Sequence, residues 1–214
     1  MNDHHLLVQF AKDPVKGKVK TRLARTMGEE KALAVHTELM QAVNAKLTAY
    51  KAAYKRCKVL GAFSLDAETT ASNEHLEALV LQYALNFDAI QVQQGSGLGC
   101  RMLAVLSEGL THAQKVIIVG SDFPTIDTAY LAAAFESLDR ADMVLGASED
   151  GGYGLIGARQ LNALDFSTVA WGTEQVLQQT LSACSQASLT AEVLAPRYDI
   201  DYEADYVRWK SSQM

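Results

Sequence analysis

Apolar positions along the chain follow two alternating rhythms. Short runs of three to six residues, Leu6-Leu7-Val8-Gln9-Phe10, Lys58 to Phe63, Ala89 to Val92, Val116-Ile117-Ile118-Val119, Met143-Val144-Leu145 and Ala191 to Leu194, have the length and composition of strands. Between them apolar residues return every three or four positions. Ala32, Val35, Leu39, Val43 and Leu47 predict a helix from Glu29 to about Tyr50. Met102, Leu103, Leu106 and Leu110 predict another from about Arg101 to His112. Shorter helices are expected over His75 to Tyr83, over the Ala-rich Thr128 to Leu138, from a Thr173 cap to about Leu181, and over Glu203 to Trp209. Tyr153 to Ile156 is expected to pair beside the strand at Met143, after a turn at Asp150-Gly151-Gly152. Strands alternating with helices predict an α/β three-layer sandwich with a mostly parallel twisted sheet, whose ligands bind beyond the carboxyl ends of the strands.

Composition narrows this picture. At 214 residues, 49% apolar and 21% charged, the chain can bury an ordinary core, and three prolines with no Gly/Ser-rich stretch leave no linker. Residues 1–214 therefore read as a single domain. Three widely spaced cysteines, Cys57, Cys100 and Cys184, suggest neither a disulfide framework nor a zinc site. The only early apolar run, Leu6 to Ala11, is too short for a signal core or a membrane span, so a cytoplasmic location is expected. A net charge of -6 argues against nucleic acid or an anionic membrane as partner. That average conceals a split: residues 1–60 carry 12 Lys/Arg against 5 Asp/Glu, and the remainder 7 against 20. Six of the cations fall between Lys12 and Arg25. This basic loop is either a solvated surface or an anion site.

Its position favours the anion. The segment Lys12-Asp-Pro-Val-Lys16-Gly17-Lys18-Val-Lys20-Thr21-Arg22 follows the first strand and precedes the first long helix, where cationic donors and oriented amides suit phosphate oxygens. It is not a P-loop, and Gly95, Gly97 and Gly99 do not have dinucleotide-fingerprint spacing. Asp122 follows the strongest strand and has no local capping task, whereas Asp127 reads as the N-cap of the next helix. Asp199-Ile-Asp201 supplies either a second carboxylate beside Asp122 or capping and macrodipole charges for the final helix. The Asp150 to Tyr153 turn is a hairpin signal as much as a site, and Trp171, Tyr198, Tyr202 and Tyr206 most simply pack a core or an edge. No Ser-His-Asp or Cys-His arrangement is visible, which disfavours hydrolysis through a covalent nucleophile.

The basic loop, Gly-Leu-Gly-x-Arg-Met, Gly-Ser-Asp-x-Pro, Asp-Gly-Gly-Tyr-x-Leu-Ile-Gly and Asp-Ile-Asp occur here in a recognisable order. From Phe10 to about Asp205 the chain resembles a bacterial family of provisionally assigned glycosyltransferases with the nucleotide-diphospho-sugar transferase (GT-A) fold, the radical-SAM/selenodomain-associated transferase type. Lys-Thr-Arg-Leu and the Asp-x-Pro loop also resemble phospholactate guanylyltransferase. The resemblance implies that Lys12, Lys20 and Arg22 bind nucleotide phosphates and that Gly97, Gly99 and Arg101 line the nucleotide pocket. It implies that Asp122 and Asp201 hold Mg²⁺ or Mn²⁺, that Asp122 and Asp150 serve the chemistry, and that Gly151, Gly152, Tyr153, Trp171 and Thr173 face a small-molecule acceptor. Three positions depart from the family pattern, in which Cys100 is usually an acid, Gly154 a second aromatic and Tyr202 a threonine. The implied activity is a metal-dependent transfer from a nucleotide-activated donor, glycosyl transfer first and nucleotidyl transfer second. A non-catalytic nucleotide-binding protein is the alternative from another class.

Overall fold

The computed structural model describes residues 4–66 and 72–213. Residues 1–3, the polar start of the chain, lie outside them. In chain order the elements are β1 (His5–Lys12), α1 (Thr21–Met27), α2 (Glu29–Ala53), β2 (Cys57–Ser64), α3 (Asn73–Gln82), β3 (Ala89–Val92) and α4 (Leu98–Leu110). They continue with β4 (Lys115–Gly120), α5 (Thr128–Arg140), β5 (Met143–Ser148), β6 (Tyr153–Ala158), α6 (Val176–Gln186), β7 (Ala191–Arg197) and α7 (Glu203–Ser211).

The strands form one sheet in the order β3-β2-β1-β4-β6-β5-β7. All pairs are parallel except those made by β6, which runs antiparallel to both β4 and β5. The sandwich expected from the alternation is therefore what forms. β6 is reversed because only a short turn separates it from β5, too little chain for a parallel crossover. β1 lies between β2 and β4, with Phe10 opposite Ala62 on one side and Gly120 on the other.

Helices cover both faces. On one side α4 and α6 bring Met102, Val105, Leu106, Ala183 and Cys184 against Val8, Val116, Ile118 and Ile156. On the other, α2 and α5 bring Val43, Leu47, Tyr130, Leu131 and Phe135 against Leu7, Ile117, Val119 and Val144. The run Val116 to Val119 is buried along its whole length, as a central strand covered on both faces must be. Each such side chain contributes roughly 1.5–3 kcal/mol of apolar burial. A polar network interrupts this interior: Gln9 donates to the Met40 carbonyl at 2.7 Å and to Ser121 Oγ at 3.0 Å, and its oxygen accepts from Asn44 at 3.1 Å. That network ties α2 and the start of the post-β4 loop to β1.

Two local expectations change. A seven-residue helix, α1, occupies the end of the basic segment, with Leu23 its only buried residue. Thr173 is not the cap of α6, which begins after Gln175 without a side-chain cap. Instead Thr173 Oγ1 donates to the Ala170 carbonyl at 2.8 Å and accepts from the Gln175 N–H at 3.3 Å, folding a turn ahead of the helix. Asp127 does cap α5, accepting from the Tyr130 N–H at 2.7 Å. The final helix is capped by Asp205, which accepts from the N–H groups of Asp201 and Tyr202. This frees the Asp199 and Asp201 side chains from capping.

Candidate functional site

A cleft of about 600 Å³ opens across the carboxyl ends of the parallel strands and the start of β6. At its centre the basic loop meets the acidic C-terminal segment. Lys20 adopts a left-handed backbone conformation (φ 45°) immediately before α1, which turns the chain so that its side chain runs inward. Only 7% of that side chain is exposed. Its ammonium lies 3.3 Å from a carboxylate oxygen of Asp122, 3.3 Å from one of Asp201, and donates to the Ile200 carbonyl at 2.5 Å. The two aspartates are brought together because the Ile200 N–H donates to the Asp122 carbonyl at 2.9 Å, lacing the loop after β4 to the loop after β7. Arg22 then reaches Asp201 at 2.5 Å, with its guanidinium 5.8 Å from the centre of the Tyr202 ring.

These charges reinforce one another. Burial is the largest influence on Lys20 and works to neutralise it, but Asp122 and Asp201 together outweigh burial and hold its pKa above the ordinary lysine value. The Lys20 ammonium in turn holds the Asp122 carboxyl below its usual range, against the opposing effect of desolvation. Arg22 is raised chiefly by Asp201.

Asp199, unlike Asp122, is pushed up to about 6, first by burial and then by the nearby charges of Asp150, Asp122 and Asp201, even though Ser148 donates to it at 2.6 Å. Asp199 and Ser148 both line the cleft. As a site member Ser148 left no trace in the sequence, being the last residue of an apolar strand.

On the β6, β5 and β7 side, Asp150, Gly152, Tyr153, Trp171 and Thr173 line the wall. Gly151 (φ +89°) supports this wall from behind. A β-carbon there would lie 2.2 Å from the Glu174 carbonyl oxygen, and Gly151's own carbonyl accepts from Leu177 at 3.1 Å. Close backbone approach thus joins the Asp-Gly-Gly turn to the start of α6. Tyr153 and Trp171 meet edge to face, 6.4 Å between ring centres, and Tyr153 is packed deeply enough that burial raises its hydroxyl pKa.

On the β1, β2 and β3 side the cleft is lined by Lys12, Lys18, His36, Ser64, Gln93, Leu98, Arg101 and Met102. Lys12 donates to the Lys18 carbonyl at 2.5 Å, closing the basic loop on itself. Gly97 and Gly99 stand beside this wall rather than in it: Gly97 precedes α4, and Gly99 is buried where a β-carbon would lie 2.8 Å from Trp171. His36, Ser64 and Gln93 went unmarked in the sequence because single polar residues on a helix or at strand ends carry no pattern. Of the three departures, Cys100 is exposed and outside the cleft wall, and Tyr202 is 57% exposed beneath Arg22.

The centre of the cleft gathers the oxygens that could hold a divalent cation. Asp122, Asp201 and the Ile200 carbonyl, all hard oxygen donors, already converge on one positive centre, the Lys20 ammonium. Among the described residues no three His, Cys, Asp or Glu side chains form a closed metal cage. Two carboxylates with the remaining positions supplied by phosphate oxygens and water are what Mg²⁺ or Mn²⁺ takes in nucleotide sites.

Comparison with known structures agrees with this architecture. The chain is similar to a protein from Desulfovibrio desulfuricans G20 provisionally named a nucleotide-diphospho-sugar transferase, at 25% identity and TM-score 0.76, over 92% of this chain and 82% of that one. A nucleotidyl transferase from Methanothermobacter thermautotroptrophicus shares the fold at 15% identity and TM-score 0.64, over 98% and 97% of the two chains. Rv0371C from Mycobacterium tuberculosis H37Rv, whose structure is a complex with manganese, shares it at 12% identity and TM-score 0.52, over 98% and 99%. No curated protein matches the sequence. No helix among the described residues is long and apolar enough to cross a membrane. The chain has the fold of nucleotide-utilising transferases. A family model matches residues 57–173, more than half of the sequence, and the chain belongs to that family, described as an uncharacterized protein conserved in bacteria (DUF2064).

Proposed function

We propose that this protein is a metal-dependent transferase that moves a glycosyl group from a nucleotide-diphospho-sugar to a small-molecule hydroxyl. The observation that carries the reading is the convergence of Asp122 and Asp201 on the Lys20 ammonium, in a cleft whose lining also includes Ser64 and Arg101 on one wall and Tyr153 and Trp171 on the other. Lys12, Lys20 and Arg22 hold the diphosphate, each by charge-assisted hydrogen bonds. Asp122 and Asp201 would hold Mg²⁺ or Mn²⁺, which when bound would supply positive charge against the diphosphate leaving group. The sugar occupies the space beyond the β-phosphate, toward Tyr153, Trp171 and Thr173. There the acceptor oxygen forms a bond to the anomeric carbon as the bond to the diphosphate breaks. Asp150 takes the hydroxyl proton. Its Oδ1 accepts from the Gly152 N–H at 2.9 Å, which orients the carboxylate from within the turn. The relationship to a nucleotide-diphospho-sugar transferase by name, at 25% identity, supports the same reading.

The density of cations in the basic loop favours a second reading, nucleotidyl transfer from a triphosphate with release of pyrophosphate. One experiment separates them. Protein is incubated with Mn²⁺ and either nucleotide sugars or triphosphates, and the phosphorus products are identified by ³¹P NMR, water serving as a slow substitute acceptor. Nucleoside diphosphate from a sugar donor is expected. Pyrophosphate from a triphosphate would replace the glycosyl reading with the nucleotidyl one, and full turnover in Asp122→Asn would remove the metal from both. Binding of nucleotide with no product under any condition would leave a non-catalytic nucleotide-binding protein.

A further inference from the structure

The wall at the ends of β2 and β3 carries an arrangement of donors and acceptors that the phosphate and metal chemistry does not use. Gln93 follows β3 and is fixed along its length. Its backbone N–H donates to the Phe63 carbonyl at 2.8 Å, and its side-chain nitrogen donates to the carbonyls of Ala62 at 2.9 Å and Ala11 at 3.2 Å. Both amide hydrogens are thereby spent on backbone oxygens, so the orientation of the amide is determined. What it has left is its carbonyl oxygen, which accepts from no donor among the described residues.

Arg101, in the first turn of α4, is held at two points as well. Its Nε donates to the Gly95 carbonyl at 3.2 Å and one Nη to Ser64 Oγ at 3.0 Å. A guanidinium has five N–H donors, and no carboxylate among the described residues pairs with this one. Ser64, Gln93 and Arg101 all line the cleft. They share that wall with Met102 and with Leu98, which is 46% exposed although large and apolar. A fixed donor group, a fixed acceptor and a bare apolar rim are the elements of a site for a flat heteroaromatic ring: apolar side chains meet its face, and the polar pair meets its edge.

We infer that this wall is the nucleobase subsite and that it selects bases presenting a carbonyl oxygen beside a ring N–H, namely guanine or uracil, over adenine and cytosine. This rests on the reading of the cleft as a nucleotide site. The guanidinium has only donors, so it matches O6 of guanine or O4 of uracil, and the Gln93 oxygen matches the adjacent N1–H or N3–H. Adenine and cytosine present an exocyclic amine and a bare ring nitrogen at the same positions. Donor then faces donor and acceptor faces acceptor, leaving polar groups unpaired.

Calorimetric titration of the full chain with GDP, UDP, ADP and CDP, each with Mn²⁺, tests this. GDP or UDP is expected to bind roughly 10- to 100-fold more tightly than ADP and CDP, and the order of GDP and UDP identifies which base supplies the edge. Arg101→Met and Gln93→Met, checked for native circular dichroism, are expected to reduce the preference to less than about threefold, with Gln93→Met leaving inorganic pyrophosphate affinity unchanged. Equal affinity for all four nucleotides, or a preference for ADP or CDP, would overturn the base assignment while leaving the nucleotide site standing. A folded Arg101→Met that keeps the full preference would overturn it equally. Binding of none of the four would remove the nucleotide reading itself.

Discussion

The ring of Phe123 occupies the volume that a side chain at Gly154 would need: a β-carbon there would lie 2.1 Å from Phe123 Cγ. Phe123 is fully buried one residue after Asp122, between β4 and α5. The aromatic that the family pattern places at position 154 is thus absent from a position whose space is filled by another aromatic. Gly154→Ala is expected to cost about 1–3 kcal/mol by overpacking, and Phe123→Leu in the same chain to recover part of it. Urea unfolding of the two single variants and the double variant measures both. An unchanged midpoint in Gly154→Ala would mean that the two positions do not compete for space.

Lys20 occupies the oxygens of the proposed metal site, so on that reading the two compete. In Lys20→Met, Mn²⁺ alone is expected to bind roughly tenfold more tightly, because the carboxylates lose their internal counterion. Nucleotide binding is expected to weaken by one to two orders of magnitude, because a charge-assisted phosphate contact is lost. Manganese titration by electron paramagnetic resonance and nucleotide calorimetry give the two numbers. If both affinities moved in the same direction, Lys20 would not alternate between carboxylates and phosphate.

His36 makes stability depend on pH near neutrality. It is buried, its Nε2 donates to the Lys12 carbonyl at 2.9 Å, and burial holds its pKa below the ordinary value of 6.5. As pH falls through 6.5 the unfolded chain takes up a proton that the folded chain refuses, so stability present above that pH is lost on acidification. Asp199 has the opposite sign. Its folded pKa of about 6 exceeds its ordinary 3.8, so between those values the folded form holds the extra proton and acidification stabilises it. His36→Gln is therefore expected to lose less stability than the parent between pH 7.5 and 6, and Asp199→Asn to lose more between pH 6 and 4. Denaturant midpoints at these three pH values decide the matter, and parallel curves for parent and variants would contradict it.

At the opposite end of the sheet Asp142 is a structural junction. Its carboxylate accepts from the Thr190 N–H and hydroxyl at 2.9 and 2.8 Å, from Arg159 at 3.1 and 3.0 Å, and from Gln160 at 2.8 Å. The Thr190 N–H is first among the causes that keep its pKa low. Asp142→Ala leaves those donors at the start of β7 and the end of β6 without their acceptor. The expected cost is about 2–4 kcal/mol, reduced from the fully buried case because Arg159 is partly solvated. Nucleotide affinity of the folded fraction is expected to be unchanged, and a loss of affinity without loss of stability would contradict the structural assignment.

What the sequence made legible follows from how local each determinant is. β4 announces itself because four consecutive β-branched residues suit only a strand buried on both faces. Asp127 is recognisable as a cap because its partner is three residues away. Asp122 stands out because it has no such neighbour to serve. α1 was invisible: with one buried residue it lacks an apolar stripe, and it is held by the contact of Leu23 with Ala32, Val35, Ile200 and Trp209. Asp201 was ambiguous between capping and the site because Asp205, four residues on, does the capping, and sequence spacing does not say which acid turns inward. Ser64 and Gln93 become neighbours only through the pairing of β2 with β3, and they reach the cleft only through the sheet order.

Lys20 and Asp201 are separated by 181 positions in the chain. A ribosome therefore releases the cationic half of the centre well before the carboxylate that completes it. Until the last segment emerges, Leu23, Val35 and Leu39 lack the cover of Ile200 and Trp209, and the Lys20 ammonium has at most Asp122 for company. The growing chain thus lacks the Asp201 half of this ion-pair centre until residue 201 has been made. A chain broken off after residue 173 would keep the basic loop and Asp122 yet lack β7, Asp199 and Asp201. Such a fragment would lack half of the centre and would leave the apolar surface of Leu23, Val35 and Leu39 without its cover.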